Sequence, residues 1–194
     1  MSGSTRRALS YGETMAPALE DESHGDAAPQ SPAYAAFVRE HTSLQPVPMV
    51  PEIRLHTAAE LIPIWALREQ VGGGRRDDVP IPFWCVPWPG GQALARFLLD
   101  EAGLVRGKRV LDLGAGSGLV AIAAARAGAK VLAVDVDPLA IAASAMNAAA
   151  NGVELDLACA DVVGGPVDVD VVLAGDVWYE RDAATRFGAW LAEL

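Results

Sequence analysis

The chain has 194 residues, with 15 basic and 25 acidic side chains for a formal net charge of −10, and 52% of its residues are hydrophobic. So apolar a sequence buries a core, which excludes global disorder, and no run approaches the ~18 uncharged apolar residues of a transmembrane helix. A negative field disfavours nonspecific attraction to nucleic acid or anionic lipid and favours a basic protein partner, and the length suits one domain with a small appendage.

Residues 1–30 read as a tail. Ser4-Thr5-Arg6-Arg7-Ala8-Leu9 has the outline of a twin-arginine export signal, but Glu13, Glu20, Asp21, Glu22 and Asp26 stand where an apolar segment should follow. The same acids argue against a transit peptide. Cys85 and Cys159 are isolated, and His24, His41 and His56 form no metal-ligand spacing. Neither a disulfide framework nor a metal site is expected, and the composition suits a reducing, cytoplasmic compartment.

Order is predicted from Ser31-Pro32, a helix cap followed by a proline suited to the first helical position. Tyr34, Phe37, Val38 and His41 follow at helical spacing. The stretch Gln45–Pro51 has too many prolines to be helical throughout, and Glu52–His56 alternates like a short strand. Residues 57–68 have helical composition, with Pro63 expected to kink or end the helix. Gly72-Gly73-Gly74 and Arg75–Asp78 read as a loop. Pro80–Gly91 is too rich in proline for a helix and too aromatic for a solvated linker, and a helix is predicted over 92–102.

Strands and helices then alternate. Strands are predicted over 109–113, 130–134, 153–158 and 168–174, and helices over 119–127, 139–150 and from Arg181 to the end. This spacing calls for an α/β fold with a parallel sheet and right-handed crossovers. The expected division is a disordered tail over 1–30, an N-terminal cap with the proline/tryptophan-rich segment over 31–90, and a truncated α/β core over 91–194.

Asp112-Leu113-Gly114-Ala115-Gly116-Ser117-Gly118 lies between a strand and a helix. There glycines admit a ligand close to backbone amides, and the helix N-terminus favours negative charge. Asp135 ends the second strand, about 20 residues on, where an acid reads ribose hydroxyls. Asp137 precedes Pro138 and is better used as a helix cap. Asp161 follows the third strand, placed to accept from an adenine amino group. Asp176 follows the fourth, in Gly175-Asp176-Val177-Trp178-Tyr179-Glu180. In an open α/β sheet these strand ends line one crevice.

The glycine spacing is G-x-G-x-G rather than the G-x-G-x-x-G of dinucleotide folds, with an acid two residues ahead. It resembles motif I of the class I S-adenosylmethionine-dependent methyltransferases. The segment Phe83-Trp84-Cys85-Val86-Pro87-Trp88-Pro89-Gly90-Gly91-Gln92, continuing to Asp100, is more specific. With Arg106-Gly107-Lys108 and Gly175–Glu180 it is similar to the protein-lysine methyltransferases that modify the β subunit of electron transfer flavoprotein.

That resemblance implies a Rossmann-like sheet, S-adenosylmethionine as cofactor and the flavoprotein β subunit as protein partner. It implies that Gly114 and Gly116 lie against the methionine moiety, that Asp112 holds the loop, and that Asp135 binds ribose. It further implies that Asp161 sits near adenine, that Trp88, with Trp84, walls the pocket, and that Asp176 and Tyr179 face the incoming lysine. Class I methyltransferases usually continue with three more strands beyond the four visible here, so a C-terminally incomplete sheet is expected. Two alternatives stay open: a small-molecule or ribosomal-protein N-methyltransferase, and a non-catalytic cofactor-binding fragment.

Overall fold

A computed structural model describes residues 31–72 and 81–194. The expected tail over 1–30 and the loop residues 73–78 lie outside the described residues. The described chain opens with helix α1, Pro32–His41, whose first turn is capped by the Ser31 hydroxyl accepting from the Ala33 amide at 3.3 Å. Phe37 and Val38 form its buried face.

The proline-rich stretch is an antiparallel hairpin of β1 (Ser43–Val47) and β2 (Val50–Thr57). The strand expected at 52–56 is part of β2, but its partner was not anticipated. Pro46 is tolerated because β1 is an edge strand, where a missing N–H leaves no ladder gap. Helix α2, Leu61–Gly72, corrects the expectation for Pro63. This proline is the third helical residue, where the amide has no intrahelical partner to lose, so the helix runs on through it. Phe83–Cys85 then form a single 3-10 turn. Helix α3, Pro89–Asp100, starts three residues before the expected Gln92, with Pro89 at its first position.

The sheet holds β3 (Arg109–Leu113), β4 (Lys130–Asp135), β5 (Asp156–Cys159) and β6 (Val171–Ala174), all parallel, in the order β5-β4-β3-β6. Strands β5 and β6 start three residues later than expected. Helix α4 (Leu119–Arg126) links β3 to β4, α5 (Pro138–Ala150) links β4 to β5, and α6 (Arg181–Leu191) follows β6. Strand β3 is central and apolar, with Val110, Leu111 and Leu113 buried, as expected for a strand covered on both faces. Val110 faces a core shared with the hairpin, α3 and α4, whereas Leu111 and Leu113 face Val162 and Trp190. Phe37, Ile64, Trp84 and Cys85 pack on Leu139 and Ala143 of α5.

The connections run outward from β3 through β4 to β5, then return to β6 on the other side of β3. This reversal opens a crevice at the carboxyl ends of β3 and β6, the place where open α/β sheets bind ligands. Among the described residues no helix is long and apolar enough to cross a membrane.

Candidate functional site

The crevice is a cavity of about 760 Å³, within the range of sites that enclose small molecules. Asp112, Gly114, Gly116, Asp135, Asp161, Asp176, Tyr179, Trp84 and Trp88 all line it, so the topology brings together the residues expected to bind cofactor and acceptor.

The glycine loop forms its floor. Gly114 has φ +65°, and a Cβ there would stand 2.6 Å from Val177 Cγ1, so the loop after β3 and the loop after β6 touch only because residue 114 is glycine. At Gly116, φ +53°, an added Cβ would meet no atom closer than the Trp84 Cα at 3.7 Å. Two side chains on α5 hold the loop from behind. The Ser144 hydroxyl donates to the Gly116 carbonyl at 3.0 Å, and the Asn147 amide to the Ser117 carbonyl at 2.8 Å. Sequence reading missed both. Their signal is a pair of polar residues three apart, fully buried, in an otherwise alanine-rich helix.

Asp112 is buried at the end of β3 and accepts from the Ala121 amide at 2.9 Å, which ties the strand to the first turn of α4. Burial pushes its carboxyl up to about 7, against the Ala121 hydrogen bond and with the nearby charge of Asp135 adding to it. Asp135 spans the loop: one oxygen accepts from Gly116 N at 2.8 Å and the other from Asp137 N at 2.9 Å. Its carboxyl is also raised by burial, against the amides of Asp137 and Gly116. Each oxygen keeps a lone pair for a ligand hydroxyl. Asp137 caps α5, accepting from Leu139 N at 2.9 Å, the role expected for it.

Asp161 sits on the far side of the cavity, accepts from Val163 N at 3.1 Å, and is ion-paired with Arg186 of α6. Nothing local in the sequence marks that partner, which lies 25 positions away. Trp88, 38% exposed, donates its indole N–H to the Phe83 carbonyl at 2.9 Å. The Phe83 ring meets Trp88 edge-on at 5.8 Å and Tyr179 at 5.2 Å. Trp84 is buried, and its indole N–H has no hydrogen-bond partner among the described residues.

The loop after β6 carries Asp176 and Tyr179. Asp176 accepts from the backbone amides of Gly90, at 3.1 Å, and Gly91, the second and third residues of α3. Tyr179 is 65% exposed, and burial of its hydroxyl, with Glu180 and Asp135 adding negative charge, raises its pKa. Trp178 is not a core residue: it is about half exposed and leans edge-on against Phe187 of α6. The site therefore presents acids and aromatic faces, a lining suited to a cationic ligand group.

Residues 93–175 match the family model described as ribosomal protein L11 methyltransferase (PrmA). The chain is 38% identical over 161 residues to an electron transfer flavoprotein beta subunit lysine methyltransferase of Xenopus laevis, covering 80% of this chain and 63% of that one. The human protein of that name is 37% identical over 164 residues, covering 82% and 61%. A ribosomal protein L11 methyltransferase of Geobacter sulfurreducens is 49% identical over 72 residues, covering 37% and 24%. The chain thus spans about three fifths of the length of the flavoprotein-directed relatives, 63% and 61%. A solved magnesium protoporphyrin IX methyltransferase of Synechocystis overlaps 66% of this chain and 64% of its own, at 23% identity and a TM-score of 0.47. The glycine loop and these likenesses point the same way: residues 93–175 are similar to a PrmA-type methyltransferase domain, and four fifths of the chain to lysine methyltransferases.

Proposed function

We propose that the protein is an S-adenosylmethionine-dependent protein-lysine N-methyltransferase acting on the β subunit of electron transfer flavoprotein. The observation that carries this reading is the convergence on one cavity of the glycine loop, the acids Asp135 and Asp161, and the Asp176/Tyr179 pair. Similarity to flavoprotein-directed lysine methyltransferases supports the choice of acceptor.

The residues fit the cofactor on three counts. The cavity volume accommodates a nucleoside with an amino-acid arm. The loop presents a residue without a side chain, Gly116, in the cavity lining. The walls offer carboxylates for hydroxyl and amino groups and aromatic faces for a sulfonium, worth roughly 0.5–2 kcal/mol when desolvated. Gly114 and Gly116 would lie against the methionine arm, Asp112 holds their loop, Asp135 would take the ribose hydroxyls, Asp161 the adenine amino group, and Trp88 would wall the pocket.

When bound, S-adenosylmethionine supplies a methyl group on a positively charged sulfur. The chain's part is to bring a neutral amine into line and exclude water, where most of the acceleration of a simple displacement lies. Asp176 would accept an N–H of the lysine amine and stabilise the positive charge that develops on nitrogen as the N–C bond forms and the methyl–sulfur bond breaks. Tyr179 flanks the amine from the mouth. The free thiols Cys85 and Cys159 suit a reducing compartment, and we place the protein in the cytoplasm.

The test is thermal unfolding with S-adenosylmethionine and with NAD, followed by mass spectrometry of purified electron transfer flavoprotein β subunit after incubation. A shift with S-adenosylmethionine alone, near ~2.7 kcal/mol at 100 times the dissociation constant, and a gain of methyl mass on lysine are expected. The match of residues 93–175 favours ribosomal protein L11 as the alternative acceptor. Methylation of L11 with the flavoprotein untouched would replace the proposed acceptor by that one.

A further inference from the structure

The two segments most distinctive in the sequence, Trp88-Pro89-Gly90-Gly91 and Gly175–Glu180, are one physical unit. Both Asp176 oxygens accept from the amides of Gly90 and Gly91, at the positive end of α3. Gly175 packs on the same pair: a Cβ there would stand 3.5 Å from the Gly91 Cα. A Cβ on Gly90 would stand 2.6 Å from Asp176 Oδ1 and 2.9 Å from its Cγ and Oδ2, so the carboxylate occupies the space the missing side chain leaves. The unit closes into a ring. Trp88 donates to Phe83, the Phe83 ring meets Tyr179, and Tyr179 lies three residues beyond Asp176.

We propose that Gly90, with the first-turn amides of α3, is a positioning residue: it sets where the Asp176 carboxylate stands, and through it the line of approach of the acceptor amine. This inference rests on the acceptor role given to Asp176 above. A carboxylate on a free loop would sample several rotamers. Two amide donors fixed in a helix turn leave one, with a lone pair on each oxygen still available for an amine N–H. Glycine is required at position 90 for space rather than for conformation, since its φ is not positive.

Gly90→Ala is therefore an informative substitution. The three atoms nearest the added methyl all belong to the carboxylate of Asp176, so the helix can stand while the carboxylate rotates away. The protein and its Gly90→Ala, Gly91→Ala and Asp176→Ala variants are compared by thermal unfolding, S-adenosylmethionine titration and single-turnover methyl transfer to the flavoprotein β subunit. Gly90→Ala should lower the transfer rate about 100-fold, the loss typical of a misplaced group near the reacting atoms. Affinity for S-adenosylmethionine and the unfolding temperature should hold. Gly91→Ala, whose Cβ would stand at an ordinary 3.5 Å from the same carboxylate, should lose less.

Wild-type transfer by Gly90→Ala together with an inactive Asp176→Ala overturns the positioning role. Wild-type transfer by Asp176→Ala overturns instead the reading of Asp176 on which it rests. Should Gly90→Ala fail to fold, Asp176→Asn is examined by NMR. The amide protons of Gly90 and Gly91 should shift upfield as the charged acceptor is lost, and unmoved resonances count against the clasp.

Discussion

Asn147 of α5 accepts the backbone N–H of His56 in β2 at 2.7 Å and donates to the carbonyl of Ser117 in the glycine loop at 2.8 Å. One fully buried side chain thus joins the N-terminal hairpin to the floor of the cavity. Four residues on, Asn151 repeats the pattern along the same strand, accepting from Arg54 N at 3.0 Å and donating to Arg54 O at 2.6 Å. The open edge of β2 is satisfied by helix side chains in place of another strand.

Asn147→Ala should therefore cost about 3 kcal/mol, since it strands the part-buried amide of His56 and the buried carbonyl of Ser117. Denaturant unfolding measures the loss. Binding of S-adenosylmethionine should weaken alongside, because the loop carbonyl of Ser117 loses its tether. An equally stable variant would show that water replaces both bonds.

Gly118→Ala tests the left-handed turn that starts α4. Gly118 has φ +78°, and a Cβ there would lie 2.9 Å from Ser144 Oγ and 3.2 Å from the Ser144 Cα, so neither rotation nor a small shift relieves it. At least about 1–2 kcal/mol of stability should be lost from conformation alone. The matched substitution Gly103→Ala adds a methyl in open space and should leave unfolding nearly unchanged.

Stability should depend on pH through the two buried acids. Asp112 titrates near 7 in the fold and Asp135 is raised in the same direction, both chiefly by burial. Where the folded pKa lies above the unfolded one, the folded state holds the extra proton, so stability falls as pH rises between the two values. For Asp112 the window runs from about 4 to about 7. Asp112→Asn keeps a carbonyl acceptor for Ala121 N and removes the charge. Its stability relative to the native chain should rise across that window, as read by urea unfolding at pH 4, 5.5 and 7. A parallel pair of pH profiles would remove Asp112 as the source.

Asp161→Ala separates binding from stability. The Arg186 pair it breaks is half exposed, so the fold should lose no more than about 1 kcal/mol. If Asp161 takes the adenine amino group, affinity for S-adenosylmethionine should fall about tenfold, equivalent to ~1.4 kcal/mol. Calorimetric titration of the two chains decides it, and equal affinities would assign Asp161 to the α6 contact alone.

The parallel strands and their helices were legible along the chain because local chemistry dictates them. Strand β3 is a short apolar run bounded by Lys108 and Gly114, α5 is opened by Asp137-Pro138 and closed by Asn151-Gly152, and the glycine loop has a spacing that admits few uses. The candidate site was legible for the same reason, since each acid follows a strand and the strands of a parallel sheet end on one side. What the sequence could not show are relationships between distant residues. Pro63 reads as a breaker until its place in the first turn is known. Pro46 reads as a coil until the strand it lines proves to be an edge. Asn147, Arg186 and the Gly90–Asp176 clasp depend on which backbone groups arrive opposite them across gaps of 30, 25 and 86 residues. Hydrogen bonds act over about 3 Å, and only the packed fold decides which groups come that close.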